Sequence, residues 1–366
     1  MALDSPKSKS RIPYIAGTKP SIKNAQLLIS TGIPSLDHTL GGGLPIGSIF
    51  LIEEDTYGTY AHVMQKYFIA EGIVSNHPLL IASLNTELAT LLSEIPAPIT
   101  DPSSESDVQS MNERMKIAWR YQNLRTVDSS PMGGRIFGHF YDLTKSMDKK
   151  VIDSADITRW HEPMKNIKNY AFENPAYEDL LKTVAKTLKN GKYFTSDEPD
   201  KRNVLRISID SLGSRMWFCD SEESTHADIF KFLYCFRALL RNSYAVATIS
   251  IPILNFDNND NFVERLEHLS DIAIKLESFA GSAKETNPLF KDYHGLLHIK
   301  KLPALNILAP HTPESRDLAF KLRRKKFIIE ILHLPPELGD TTQREQDETP
   351  TTSSCSAGGK KNLLDF

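Results

Sequence analysis

The stretch TGIPSLDHTLGGGLPIGSIFLIEEDTYGTYAHVMQKYFIAEG, residues 31–72, decides the fold. Its glycine-rich turn, Gly41–Gly43, tolerates backbone angles that other residues avoid. The apolar run Ser48–Ile52 is typical of a short strand, because turn residues precede it and charged residues end it. Apolar residues at helical spacing then predict a helix from about Tyr60 to Gly72. The order strand, loop, helix is the context that a phosphate-binding loop requires.

The loop between this strand and helix lacks the chemistry of a phosphate-binding loop. A P-loop, GxxxxGK[ST], supplies backbone amides, a lysine for the phosphates and a hydroxyl group for magnesium. Residues 53–60 read EEDTYGTY, with one glycine, no lysine and three consecutive carboxylates. We therefore predict a turn that binds nothing, although a residual nucleotide site stays open as the alternative. This degenerate nucleotide loop comprises Glu54, Asp55, Thr56, Tyr57, Gly58 and Thr59.

A later apolar strand, Asn203–Asp210, ends in an acid. In nucleotide-binding domains such an acid holds the magnesium ion that accompanies the phosphates. Asp210 is read equally as a metal ligand or as an acid of the turn. Arg206 and Ser208 interrupt the apolar run, which predicts that one face of this strand is partly exposed. The sequence shows no His, Cys or carboxylate cluster at metal-ligand spacing, so we predict no metal site.

The remaining periodic patterns complete an α/β fold. The strand Pro78–Leu84 follows the first helix directly, which predicts a parallel β-α-β unit with a right-handed crossover. Thr225 is expected to cap a helix that ends at Arg241. We thus expect a largely parallel sheet, flanked by helices and buried on both faces. The other predicted elements are a helix over 177–188, strands over 244–251 and 266–276, and an antiparallel edge formed by strands 295–302 and 326–334.

Composition shifts suggest the domain boundaries. Residues 1–27 are polar and predict a flexible N-terminal tail, and residues 339–366 predict a disordered C-terminal tail. Residues 28–338 then form one domain with an insertion over about 96–201. Within the insertion, residues 115–121 (MKIAWRY) interleave aromatic and basic side chains. Such a stretch can stack on single-stranded nucleic acid, but a docked element with a buried Trp119 is the favoured interpretation.

Global properties describe an ordinary soluble chain. The net charge of −3 over 366 residues gives no overall attraction to nucleic acid, so any RNA contact must be local. The cysteines Cys219, Cys235 and Cys355 have no paired or metal-type spacing, which favours a reducing compartment. No apolar run is long enough to span a membrane, and the N-terminus lacks the apolar core of a signal peptide. We expect an intracellular, soluble protein.

The densest basic run lies near the C-terminal end of the domain. Such a run is usually a solvated end of a strand or helix. In a protein that binds RNA, such a run is also the best local candidate for contact with phosphates. The run consists of Lys321, Arg323, Arg324, Lys325 and Lys326.

Residues 31–55 resemble the segment that leads into the ATP site of RecA-like ATPases of the KaiC kind, with the nucleotide loop eroded. Together with MKIAWRYQNL (115–124), ETNPLFKDYHGLLHIKKLP (285–303) and GGKKNLLDF (358–366), they are similar to one family. That family is subunit 4 of the Elongator complex. The resemblance runs from about Ile15 to the C-terminus, and it is patchy between about Thr100 and Lys201.

This resemblance implies a RecA-like fold and a place in the accessory ring of Elongator. There, subunits 4, 5 and 6, two copies of each, form a hetero-hexamer that binds tRNA and serves modification of the wobble uridine. The chemistry would belong to the catalytic subunit, so this chain would be no enzyme and would need no cofactor. The family occurs in the cytoplasm and the nucleus, and its other partners are the remaining Elongator subunits.

Two other functions stay open at this stage. An active ring ATPase could couple hydrolysis of ATP, bound at ring interfaces, to release of RNA. The departure of residues 53–60 from the P-loop pattern puts this chain's own contribution to such an activity in doubt. A plain interaction protein without RNA contact is also compatible with the slightly acidic composition.

Overall fold

The computed structural model describes residues 15–21, 26–99, 137–161, 163, 171–256, 260–307 and 311–333. Every helix and strand given below lies within one compact unit, Met1–Ile331. The aromatic and basic stretch 115–121, the C-terminal tail 339–366 and most of the N-terminal tail 1–27 lie outside the described residues.

A nine-stranded sheet forms the centre of the fold. Its strand order is β14-β13-β12-β11-β4-β10-β9-β5-β8. The six strands from β11 to β8 pair in parallel, and β12, β13 and β14 extend the sheet with antiparallel pairs. These strands are β4 (Ile49–Glu53), β5 (Leu79–Ser83), β8 (Ile157–Trp160), β9 (Leu205–Asp210), β10 (Ala245–Ile251), β11 (Ile272–Ser278), β12 (Gly295–Lys301), β13 (Leu318–Leu322) and β14 (Phe327–Ile331).

Two small sheets lie outside this centre. One has the order β1-β2-β3, and the other pairs β6 with β7 in antiparallel fashion. Their strands are β1 (Thr18–Pro20), β2 (Leu27–Ile29), β3 (Leu44–Pro45), β6 (Pro96–Pro98) and β7 (Tyr141–Ser146).

Helices cover both faces of the central sheet. On one face, Leu36, Phe68 and Leu91 bring α1, α2 and α3 into one apolar cluster. On the other face, a second cluster collects side chains of α5, α6 and α7. The fold is therefore the expected α/β arrangement, with a largely parallel sheet between helices. The helices are α1 (Pro34–Thr39), α2 (Thr59–Val74), α3 (Leu88–Ser93), α4 (Lys149–Ser154), α5 (Pro175–Asn190), α6 (Glu222–Arg241) and α7 (Asp260–Leu269). None of the helices in the described ranges is long and apolar enough to cross a membrane.

The prediction that β9 has an exposed face was wrong. This strand lies between β10 and β5, and Arg206 and Ser208 are both fully buried. Polar side chains are tolerated there because most of their polar atoms have hydrogen-bond partners. The Nε of Arg206 donates to Nδ1 of His77 at 3.0 Å, and its Nη1 donates to the carbonyl oxygen of Ser30 at 2.9 Å. Ser208 lies 3.4 Å from the side-chain carbonyl of Gln65 on α2.

Three local predictions also needed correction. Helix α6 begins three residues before Thr225, and Ser221 is the cap, because its hydroxyl accepts the amide N–H of Ser224. The strand predicted over 266–276 is in fact the end of α7 followed by β11. The sequence placed the basic run between the edge strands 295–302 and 326–334 and missed a third strand, β13, which lies between them. Lys321 belongs to that additional strand.

The boundaries of the predicted insertion stay a prediction. Of its residues 96–201, the described ones include β6, β7, α4, β8 and α5. β8 joins the edge of the central sheet beside β5, and α5 packs in the second apolar cluster. These parts of the insertion therefore belong to the main fold.

Candidate functional site

A cleft of about 550 Å³ lies at the carboxyl ends of β4, β5, β9 and β10. In open α/β sheets this edge is where ligands bind. The residues predicted for the degenerate loop and the acid predicted at the end of β9 all line the cleft. The structure thus brings together Glu54, Asp55, Thr56, Tyr57, Gly58, Thr59 and Asp210.

The Asp55 carboxylate caps helix α2 from within the chain. Its Oδ1 accepts the backbone N–H groups of Tyr60 at 2.9 Å and Ala61 at 3.2 Å, and its Oδ2 accepts that of Thr59 at 3.2 Å. Gly58 makes this turn possible, because it has the left-handed φ of 68° just before the helix. A helix N-terminus is where a P-loop places a phosphate. Here a carboxylate of the same chain takes that place.

Glu54 lies beside Asp55 in a buried setting. Burial, together with the charges of Asp210 and Asp55, raises the pKa of its carboxyl group to about 7. Hydrogen bonds from Ser250 and Ser211 oppose this shift, and the Ser211 hydroxyl donates to Oε1 of Glu54 at 2.8 Å. Near neutral pH this carboxyl is therefore partly protonated, and it connects the ends of β4, β9 and β10.

Asp210 has hydroxyl partners at the end of β5. Its Oδ2 accepts the Ser83 hydroxyl at 3.1 Å and the Thr86 hydroxyl at 3.0 Å. Its Oδ1 lies 3.6 Å from Nδ1 of His62 on α2. No group of three or more His, Cys, Asp or Glu side chains within the described ranges could hold a metal ion. In the structure, Asp210 joins the end of β9 to the end of β5 through these hydrogen bonds.

The cleft does not fit a magnesium nucleotide triphosphate. The donors of the α2 N-terminus are already bonded to Asp55, and Glu54 and Asp210 add further carboxyl groups. Lys66 is the only Lys or Arg among the described residues that line the cleft, and its Nζ lies 2.6 Å from Glu94. Because phosphoryl transfer depends on positive charge at the phosphates, this arrangement offers little to a triphosphate.

Exposed apolar side chains border the cleft, and the sequence analysis missed them. Tyr57 and Leu254 are both 69% exposed and line it. Met216 and Phe218, 62% and 41% exposed, lie beyond the end of β9 on the same side of the sheet. Exposed apolar side chains grouped at one edge mark an interaction surface. The one feature of the sequence that could have revealed this surface is Tyr57, an aromatic residue in an otherwise acidic and polar loop.

The basic run forms a hairpin away from the cleft. Arg323 and Lys326 pair through backbone hydrogen bonds of 2.9 and 3.2 Å, which leaves Arg324 and Lys325 at the turn. Lys321 is separated from the others, because its Nζ pairs with Glu330 and its side chain is only 11% exposed. The structure thus keeps four of the five predicted RNA-contact residues together at the turn.

Comparisons with known proteins find relatives along nearly the whole chain. A protein-family model described as PAXNEB protein matches residues 11–366. Elongator complex protein 4 of Xenopus laevis is 43% identical and covers 98% of this chain and 94% of the relative. That of Homo sapiens is 42% identical and covers 97% and 90%. That of Saccharomyces cerevisiae is 27% identical and covers 87% and 76%.

Solved structures include a similar chain as well. A KaiC-like protein from Pyrococcus horikoshii has a TM-score of 0.46 and 14% identity, and the match covers 83% of this chain and 99% of that one. The family match and the relatives above 40% identity over almost the full length confirm the resemblance noted from the sequence. The chain belongs to the Elongator complex protein 4 family, the PAXNEB family.

Proposed function

We propose that this chain is a non-catalytic subunit of a RecA-like hetero-hexameric ring of the Elongator complex. Its family membership indicates a role in Elongator. The ring would contain two copies each of this chain and of subunits 5 and 6, and it would bind tRNA. It would support wobble-uridine modification of the 5-carboxymethyl type, and the remaining Elongator subunits would supply the chemistry. No cofactor is needed for this role.

The observation that carries the non-catalytic assignment is the carboxylate of Asp55. It accepts three backbone N–H groups at the start of α2, the donors that a nucleotide phosphate would need. A negative charge held at this point also repels a phosphate. The alternative, an active ATPase that releases RNA, would require Asp55 to leave these donors and a cation to replace it.

Assembly into a ring is supported by the apolar edge beside the cleft. Tyr57, Leu254, Met216 and Phe218 expose apolar area at the ends of adjacent strands. Burying this area against a neighbouring subunit would be favourable at roughly 25 cal/mol per Å². The edge that holds nucleotide in an active RecA-like ring would then serve as a contact between subunits.

Contact with tRNA is supported by the basic hairpin turn. Arg323, Arg324 and Lys325 are exposed and Lys326 is half-buried. Positive charge at this density can neutralise backbone phosphates and release counterions. Lys321 is left out of the proposed contact because Glu330 already pairs with it.

Three further predictions from the sequence stay part of the proposal. Residues 1–27 and 339–366 would be flexible tails, and residues 28–338 one RecA-like domain with an insertion over about 96–201. The chain would act in the cytoplasm and the nucleus, as a component of a large soluble assembly.

The direct test is to determine the native mass of the chain alone and mixed with subunits 5 and 6, with tRNA binding measured on each species. We expect a discrete hetero-hexamer that binds tRNA only when all three subunits are present. An assembly of this chain alone that hydrolyses ATP would contradict the proposal. A hexamer without affinity for tRNA would contradict the RNA-binding part of it.

A further inference from the structure

The basic hairpin turn is held against a strand that lies far away in the sequence. The backbone N–H of Leu143 on β7 donates to the carbonyl oxygen of Lys325 at 2.9 Å. On the inner side of the hairpin, the N–H of Phe327 donates to the Tyr67 hydroxyl of α2 at 3.1 Å. The hairpin turn is thereby fixed between α2 and β7.

This contact places a second set of cations beside the hairpin turn. Lys145 lies two residues beyond Leu143 and is exposed. The pKa of Asp142 is affected by the charges of both Lys145 and Lys325. Burial alone would raise the pKa of Asp142, but hydrogen bonds from Thr144 and the nearby charges of Lys325 and Lys145 hold it below its ordinary value. The ammonium groups of Lys145 and Lys325 therefore both lie near the Asp142 carboxylate, although 180 positions separate them in the sequence.

The combined surface carries a large excess of positive charge. Residues 142–150 and 323–326 contain seven Lys and Arg residues and two Asp residues. Lys149 and Lys150, both exposed, continue the surface at the start of α4. One of the two acids, Asp148, uses its carboxylate to cap α4 by accepting the N–H of Lys150 at 3.0 Å.

These cations form no ion pair in the described part of the chain. None of the ion pairs found there involves Lys145, Lys149, Lys150 or a residue of the hairpin turn 323–326. Some basic side chains elsewhere in the fold do pair with an acid, such as Lys321 with Glu330 and Lys66 with Glu94. A surface cluster of cations without ion pairs attracts anions from solution.

We infer that the RNA-binding surface extends from the hairpin turn 323–326 across β7 to Lys145 and the start of α4, and that its ligand is the phosphate backbone of RNA. This inference rests on the proposed tRNA-binding function. Two cationic segments fixed side by side can contact successive phosphates along one strand. Such contacts position the nucleic acid and carry no sequence information by themselves.

The test uses the full chain assembled with subunits 5 and 6 and compares Lys145→Ala with Lys145→Glu. We expect Lys145→Ala to weaken tRNA binding several-fold and to reduce the slope of log affinity against log salt by about 1, because one phosphate contact is lost. Lys145→Glu should weaken binding further. The Lys145 side chain is exposed, so the midpoint of thermal unfolding should not change.

The matched control is Lys186→Glu. Lys186 is an exposed residue of α5, in the helix layer on the opposite face of the sheet, and its substitution changes the net charge by the same amount. It should leave the salt slope unchanged. Equal losses for Lys145→Glu and Lys186→Glu would overturn the inference, since they would indicate only a long-range effect of net charge.

A third variant separates this inference from the proposed function. Lys325→Ala changes the hairpin turn alone. If Lys325→Ala weakens tRNA binding and Lys145→Glu does not, the extension across β7 is wrong and the hairpin contact stands. If the Lys145 variants lose affinity for an acidic protein of the complex but not for tRNA, the surface binds protein and the inference is again wrong. If the unsubstituted assembly binds no tRNA, the proposed function itself fails.

Discussion

Glu54 and Asp55 are neighbours in the sequence, yet their carboxyl groups have different surroundings. Asp55 faces the positive end of α2 and accepts three backbone N–H groups there. Glu54 is half-buried beside the ends of β9 and β10 and accepts hydrogen bonds from hydroxyl groups there. The sequence indicated that acids replace the P-loop residues, but not that one of them occupies the phosphate position. That depends on the left-handed turn at Gly58.

Glu54 should make stability depend on pH. Burial raises its pKa from 4.5 to about 7 in the folded chain, so the folded state holds a proton that the unfolded state has lost between these values. This contribution is fully present below pH 4.5 and disappears as the pH rises through 7. Relative to the wild type, Glu54→Gln should therefore gain stability by up to about 3 kcal/mol as the pH rises across this window.

Urea unfolding at a series of pH values measures this difference. The control is Glu198→Gln, which changes an exposed carboxylate in a loop. Glu198→Gln should follow the pH dependence of the wild type. A Glu54→Gln curve parallel to that of the wild type would show that Glu54 keeps an ordinary pKa.

Among the helices and strands, those with a clear apolar periodicity were predicted correctly from the sequence. The strand β4, the helix α2 and the strand β10 were placed to within one or two residues, because apolar spacing and flanking turn residues agree there. The edge strand β13 was missed because its alternating Leu318, Phe320 and Leu322 run directly into the basic residues. The burial of β9 was missed because the partners of Arg206 come from distant segments.

Arg206 joins β9 to α2 and to the segment before α1. Besides His77 and Ser30, it influences Glu71, a buried acid of α2. Burial raises the pKa of Glu71, but the hydrogen bond from His139 and the charge of Arg206 outweigh this effect and lower the pKa. Removal of Arg206 would take away one of the groups that compensate the buried charge of Glu71. Arg206→Met should therefore cost about 3–5 kcal/mol of unfolding free energy.

The same substitution on an exposed residue provides the comparison. Arg159 is exposed on β8, the edge strand of the same sheet. Arg159→Met should therefore cost well under 1 kcal/mol of unfolding free energy. Adding Glu71→Gln to Arg206→Met should cost less than the sum of the single substitutions, since the two charges are coupled. Equal losses for Arg206→Met and Arg159→Met would show that the buried guanidinium contributes little.

At the scale of the whole molecule, the sequence predicted a RecA-like sheet with an altered nucleotide edge. The fold could be predicted from the sequence because residues 31–72 carry both the strand-loop-helix order and the family resemblance. The apolar border of the cleft could not be predicted from the sequence. The exposure of Met216, Phe218 and Leu254 depends on the path of the segments that follow β9 and β10. The same holds for the surface shared by β7 and the hairpin turn 323–326, which only the folded chain brings together.

The central claim is that the cleft of this chain does not bind nucleotide, also within the hetero-hexameric ring that we propose. Photoaffinity labelling of the hetero-hexamer with 8-azido-ATP and magnesium, followed by identification of the labelled subunit, tests it most directly. We predict no label on this chain that excess ATP removes, because Asp55 holds the donors of α2. Labelling of residues 54–59 that ATP competes away, and that Asp210→Asn abolishes, would contradict the claim.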